Sequence, residues 1–331
     1  MKKIKWGLAL CLGALVTIVG ACGQEATNKD EKLTVMLDWY PNAVHSFIYD
    51  AQEKGYFKEA GLDVHIEMPS DTNDPLRLAA AGKVDVAINY QSQLIMSQDE
   101  GIPVKGIASI VQQPLSELMF KTDTGIHSPK DLEGKTVGMG TSEVPQALVR
   151  ALVQADGGNP DKVKFIDVGY DLVPALATDR VDALMGAYIN HEKLLLEKEG
   201  YPITSLPRAD YGLPAEMEML FVSGNRTIAK KGDALQKFIQ AVQKGQQDVV
   251  NNPEAGLKIL LDHQNKDDAL NPEIEKQSLA ILLPLMGDAT HPFGSQDAEQ
   301  YQQLIDWMHQ TGIIKQQLKA EDVFVDLGGK K

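Results

Sequence analysis

Two cysteines in 331 residues are few, and both stand in the first 22 positions. With no Cys in residues 23–331, that stretch can form no disulfide, no thiolate metal site and no cysteine nucleophile. Positive charge is in deficit: 32 Lys and Arg face 46 Asp and Glu, a formal net charge of −14. Nothing in such a chain offsets repulsion from phosphates, so a nucleic-acid partner is excluded. Long hydrophobic runs are also scarce. Only one occurs, Trp6 to Ala21, which excludes a multi-span membrane protein. Glycine and proline stand at ordinary levels, 28 and 16, beside 43% apolar residues. Collagen, coiled coil and bulk disorder are thereby excluded. What is left is a globular composition, and the length allows about two domains.

The apolar run follows Lys2, Lys3 and Lys5 and falls short of the ~20 residues of a comfortable membrane span. A basic start and a short apolar core make a secretory signal, residues 1–21. Its end, Val19-Gly20-Ala21-Cys22, resembles the lipobox of bacterial lipoproteins. That resemblance implies cleavage before Cys22, lipid on Cys22, and an address on the outer face of a bacterial cell membrane. Residues 22–32 then read as the lipidated Cys and a polar, flexible tether.

The body alternates. Strand patterns occur at Leu33–Leu37, around Val64 and Ile66, and at Val84–Ile88 and Val104–Val111. They continue near Thr136–Met139, Val163–Val168 and Val181–Met185. Helical patterns lie between them: Ala43–Lys54, a start at Asp74-Pro75, Val144–Ala155 and Leu172–Ala177. Such alternation predicts an α/β fold with a largely parallel sheet. Beyond Asn225 the pattern turns helical. Leu235, Phe238, Ile239 and Val242 mark one apolar face, Asn271-Pro272-Glu273 is a helix start, and Tyr301, Leu304, Ile305 and Met308 mark another face.

One segment echoes another 97 residues on. Leu78 to Ile88 and Ala175 to Met185 share a helix end, a polar turn, a Val-Asp pair and a strand. Two lobes built on the same unit are therefore expected. Ligands in open α/β sheets bind beyond the carboxyl ends of strands. Those ends carry Asn89-Tyr90-Gln91-Ser92 and Ala187-Tyr188-Ile189-Asn190. Two such rims facing each other would enclose a cleft.

The run Leu37-Asp38-Trp39-Tyr40-Pro41-Asn42, then His45, then Glu53-Lys54-Gly55-Tyr56-Phe57, resembles the start of ThiY-like substrate-binding proteins for thiamine precursors. Their family also includes the fungal thiamine-pyrimidine synthases. Gly82 to Ala87, Asp131 to Gly138, and Gly186-Ala187-Tyr188 with Asn190-His191-Glu192 fit the same family, so the similarity covers most of residues 32–320. It implies a two-lobe, type II periplasmic-binding-protein-like fold with two crossing strands and ligand in the interlobe cleft. The implied lobes are 33–119 with 223–331, and 120–222, crossing near Leu118–Lys121 and Leu220–Ser223. It further implies a formylated aminopyrimidine or close variant as ligand, an ABC permease as partner, and no cofactor.

An aminopyrimidine is flat, and it needs aromatic faces and a few fixed hydrogen-bond groups on its edge. A carboxylate suits an exocyclic amine beside a protonatable ring nitrogen, a contact worth roughly 1.5–3 kcal/mol. Asp38 and Trp39 are expected ligand contacts on this ground. Asn42 is either a contact or a helix N-cap. His45 shares its helix face. Tyr90 and Gln91 follow the first-lobe strand; Tyr188, Asn190 and Glu192 follow the second-lobe strand. Glu192 serves equally as a first-turn acid. The expected stack places the ring between Trp39 and Tyr188. Thr141, in Gly138-Met139-Gly140-Thr141-Ser142, is a further polar candidate; with no Lys or Arg from Gly138 to Val149, that loop does not read as a phosphate cradle. Glu216 and Glu218 read as a solvated edge.

Two alternatives stay open at this stage. One is another solute, such as an alkanesulfonate, nitrate or riboflavin. The other is an enzyme that makes the thiamine pyrimidine; the fungal synthases carry a Cys-rich motif, which residues 23–331 lack. No nucleophile elbow, paired metal-His motif or P-loop occurs, and His191-Glu192 has no second His nearby, so no metal site is expected.

Overall fold

The computed structural model describes residues 30–140, 144–264 and 269–328. The signal, Cys22, nearly all of the tether and Thr141 lie outside the described residues. Among the described residues ten strands form two five-stranded sheets. The first has the order β2-β1-β3-β10-β4: β1 (Glu31–Met36), β2 (Leu62–Glu67), β3 (Val86–Asn89), β4 (Val104–Val111) and β10 (Met219–Gly224). The second has the order β7-β6-β8-β5-β9: β5 (Ser116–Lys121), β6 (Thr136–Met139), β7 (Lys164–Asp167), β8 (Ala183–Tyr188) and β9 (Ile203–Leu206).

The two sheets have the same plan. In each, the first-named three strands are parallel and the fourth runs against its neighbours. That antiparallel strand is the one that has just arrived from the other sheet: β5 follows β4, and β10 follows β9. The Val-Asp echo has a structural meaning. Asp85 takes the Thr34 N–H on its carboxylate at 3.0 Å and returns its own N–H to Thr34 O at 2.9 Å. Asp182 does the same with Thr136, at 2.8 Å and 2.8 Å. Each Asp thus ties the strand behind it to the central parallel strand of its sheet.

The passages between sheets lie at 112–115 and 207–218. Leu118–Lys121 and Leu220–Ser223, expected as the crossings, sit instead inside β5 and β10. Both stretches are apolar and extended because they are inner strands covered on two faces. A crossing would show the same pattern, so composition does not separate the two.

The helical C-terminal third packs on the first sheet. The helical run Asn225–Asn251, kinked at Lys231, buries Leu235, Phe238, Ile239 and Val242 against Phe47, Ile48 and Phe221. Gly245 permits that approach: a Cβ there would lie 2.3 Å from Phe47 O on helix Ser46–Glu53. Helix Ala298–Gln310 covers the other face with Tyr301, Leu304, Ile305 and Met308. Helix Pro272–Leu282 is capped by Asn271 Oδ1 and carries Pro at its first turn. Among the described residues no helix is long and apolar enough to cross a membrane.

Candidate functional site

The carboxyl ends of β1, β3 and β8 face a cleft of about 880 Å³, part of it open to solvent. Asp38, Trp39, Asn42, Tyr90, Tyr188, Asn190 and Glu192 all line it. Of the other expected site residues, His45 stands one layer behind and Gln91 faces away.

Asp38 leaves the end of β1 and is buried. One carboxylate oxygen lies 2.9 Å from His45 Nε2, and the other accepts the Tyr90 hydroxyl at 2.8 Å. His45 Nδ1 accepts the Asn42 N–H at 3.2 Å, so Nε2 carries the proton that points at Asp38. His45 therefore orients Asp38 and does not itself line the cleft. Asn42 is the N-cap of Ala43–His45, with Oδ1 accepting the Val44 N–H at 3.1 Å. It lines the cleft as well. Gln91 Oε1 accepts the Met217 N–H at 2.8 Å; it fixes the second passage to the first lobe.

Trp39 comes from the first lobe but packs in a core cluster of the second, with Val168, Leu172 and Leu176. Gly140 allows this, since a Cβ there would meet the indole at 3.3 Å. The ring packed on Trp39 is Tyr170, with centroids 4.4 Å apart and planes at 56°. Tyr170 is absent from the sequence-based set, because nothing local to it marks an aromatic partner. The Trp39 Nε1–H is buried without a hydrogen-bond partner.

On the opposite rim, Gly186 takes φ +95° where β8 slips register against β5. This turns the chain just before Tyr188. Glu192 begins helix Glu192–Lys198. Its Oε2 accepts the Tyr188 N–H at 2.8 Å, and its Oε1 lies 2.9 Å from His191 Nδ1. Asn190 donates Nδ2 to Ser278 Oγ at 2.9 Å, while its Oδ1 is buried and unpartnered. Burial, helped by nearby Asp38, drives the Tyr90 phenol well above its ordinary value; burial and the neighbouring Tyr90 do the same for Tyr188. Both rings are therefore neutral hydroxyls across the physiological range.

The floor of the cleft corrects the reading of Glu216 and Glu218. They are 3% and 6% exposed, not a solvated edge. Arg208, itself buried, lies 2.5 Å from Glu216 and 3.1 Å from Glu218. The Ser92 hydroxyl donates to Glu216, and Glu218 accepts the N–H groups of Leu115 and Ser116 at 2.8 and 3.0 Å. One network thus binds the two passages together beneath the site. Burial raises the Glu218 carboxyl, against the pull of Arg208. Arg208 itself is held above its ordinary value by the two glutamates, which outweigh burial. Ser92 lies on the rim read from the sequence, but its bond to Glu216, 124 residues on, does not show there, and neither does Arg208. Among the described residues no His, Asp, Glu and Cys cluster is arranged to hold a metal ion.

The cleft is therefore lined by three aromatic rings, Trp39, Tyr90 and Tyr188, beside aliphatic side chains, with an acidic surplus. Asp38, Glu192, Glu216 and Glu218 outnumber Arg208 and His191. The arrangement can stack a flat ring, accept hydrogen bonds from its amino groups, and donate one from Trp39.

The family model described as NMT1/THI5 like matches residues 42–256. The formylaminopyrimidine-binding protein of Halalkalibacterium halodurans is 38% identical over 330 residues, 98% of each chain. A putative thiamine biosynthesis protein of Haemophilus influenzae is 32% identical over 300 residues, 90% of this chain and 92% of that one. Among solved structures, the alkanesulfonate-binding protein SsuA of Xanthomonas axonopodis pv. citri superposes with a TM-score of 0.69 at 12% identity, over 89% of this chain and 98% of that one. At that identity the likeness shows the fold alone, the two-lobe α/β architecture of binding proteins. On the extent of the family match and of the relative from Halalkalibacterium halodurans, the chain belongs to the NMT1/THI5 like family.

Proposed function

We propose that this chain captures a thiamine-related pyrimidine outside the cell and delivers it to an ABC permease. The formylated 4-amino-5-aminomethyl-2-methylpyrimidine, or a close variant, is the ligand proposed. One observation carries this reading: Trp39, Tyr188, Asp38 and Glu192 line one cleft whose cations, Arg208 and His191, are each matched by two carboxylates. The name of the relative from Halalkalibacterium halodurans supports the same ligand.

The pyrimidine stacks between Trp39 and Tyr188. Its amino group and ring nitrogen meet the carboxylates of Asp38 and Glu192, and Asn190 Oδ1 accepts a further N–H. Asn42 and Tyr90 complete the polar edge. Each buried group left unpaired by a wrong ligand would cost affinity, which gives selectivity. A sulfonate, by contrast, would need a free cation, and Arg208 and His191 are each already matched by two carboxylates. No chemistry is assigned to the site: the protein is a carrier, anchored through lipid on Cys22. The lobes divide along the sheets, with 112–115 and 207–218 as the hinges.

The test is a titration of the purified protein with the formylated pyrimidine, its deformylated amine, an alkanesulfonate and riboflavin. Saturable binding of the pyrimidines alone supports the reading. Binding of the sulfonate or the flavin instead, or turnover of a pyrimidine, overturns it.

A further inference from the structure

Glu275 touches both rims of the cleft and belongs to neither. It sits on helix Pro272–Leu282, beyond the residues 42–256 that the family model matches, and is 1% exposed. Its Oε2 accepts the Ala43 N–H at 2.7 Å, directly after the Asp38–Asn42 rim. Its Oε1 lies 3.4 Å from His191 Nε2 on the other lobe. His191 Nδ1 in turn meets Glu192, which holds the Tyr188 N–H. Three residues further along the helix, Ser278 Oγ accepts from Asn190. Two polar links thus run from one helix of the first lobe to the ligand-facing loop of the second.

The links differ in what opening would do to them. Glu275 and Ala43 are both on the first lobe, so their bond persists when the lobes part. The Glu275–His191 and Asn190–Ser278 contacts cross the cleft and break. A carboxylate buried this deeply is costly without its cation. We propose that Glu275 and Ser278 are positioning residues that latch the closed cleft, so that helix Pro272–Leu282 sets how long the ligand stays. This rests on the solute-binding reading above.

The latch is sensitive to protons. His191 is faced by Glu192 on its own helix, by Glu275 from helix Pro272–Leu282, and by the Tyr40 ring at 5.9 Å. Burial alone would lower His191, but the two carboxylates outweigh it and hold it up to about 10. Opening removes Glu275 while Glu192 travels with His191. The closed state therefore binds the imidazole proton more tightly than the open one. Closure is favoured while His191 is protonated in both states, and the advantage is lost as pH rises toward 10.

Stopped-flow tryptophan fluorescence with the formylated pyrimidine, from pH 6 to pH 10, tests this on wild type, Glu275→Gln and Ser278→Ala. Gln keeps an acceptor for Ala43, so the fold is expected to persist, and ligand-free thermal unfolding checks it. Glu275→Gln should release ligand about tenfold faster, the size of one charge-assisted contact, with little change in association. It should also flatten the rise of the release rate with pH that wild type shows. Ser278→Ala should speed release at every pH and leave the pH profile intact. Small-angle scattering of the ligand-free protein supplies an independent reading, since Glu275→Gln should enlarge the radius of gyration. Wild-type release rates and pH profile in Glu275→Gln overturn the latch. If wild type binds no pyrimidine, the solute reading fails, and scattering decides alone: an enlarged variant upholds the latch, an unchanged one overturns it.

Discussion

Asp38 Oδ1 and His45 Nε2 lie 2.9 Å apart, seven residues distant in the chain and both buried at the mouth of the first sheet. The His ring is held from behind by the Asn42 N–H. A side chain that lines the cleft is thus aimed by one that does not. His45→Ala removes a donor from Asp38 and an acceptor from Asn42 at once. The expected loss is about 1–3 kcal/mol of stability, with ligand affinity about tenfold lower. Thermal unfolding and titration of the same preparation measure both.

Arg208 is expected to matter more for stability than any other side chain of the floor. Arg208→Ala leaves Glu216 and Glu218 buried with no cation, which costs about 3–5 kcal/mol. Glu218→Gln should cost less, because Arg208 keeps Glu216 and the amide can still accept from Leu115 and Ser116. Chemical denaturation of the two variants ranks them; equal costs would contradict the network.

Asp50 gives a pH prediction. It is 1% exposed, its Oδ1 has no hydrogen-bond partner, and Lys54 stays 3.9 Å away. Burial pushes its carboxyl up to about 6, against Lys54 and with the help of Asp248. The folded state therefore holds this proton more tightly than the unfolded chain. Its stabilisation is complete below the ordinary value near 3.8 and is lost as pH rises through about 6. Asp50→Asn should accordingly stabilise the protein by about 1–3 kcal/mol at pH 7.5 and have no effect at pH 3.5. Denaturant midpoints at the two pH values test it.

The parts legible in the sequence are those with local, repeated cause. The Val-Asp echo works because Asp85 and Asp182 each bond a strand residue in a parallel pair, so the same local geometry calls for the same residue twice. Tyr90 and Tyr188 are legible because a strand's carboxyl end is a rim in any open α/β sheet. Arg208, Tyr170, Glu275 and Ser278 are not. Tyr170, Glu275 and Ser278 earn their places through partners far along the chain: Glu275 meets a backbone N–H 232 residues away. Glu216 and Glu218 read as exposed because two acids at alternate positions look like a solvated face until the buried arginine opposite them is known.

The central claim is that a flat pyrimidine stacks on Trp39 in this cleft. The described residues hold two tryptophans, Trp39 and Trp307, and of these Trp39 lines the cleft. The most direct measurement is tryptophan fluorescence during titration with the formylated aminopyrimidine, in wild type and Trp39→Ala. Wild type should show a saturable change, and Trp39→Ala should lose that change with affinity about ten- to hundredfold lower, the range for loss of one stacked base, while its unfolding remains cooperative. An unaltered affinity in a folded Trp39→Ala variant would contradict the account.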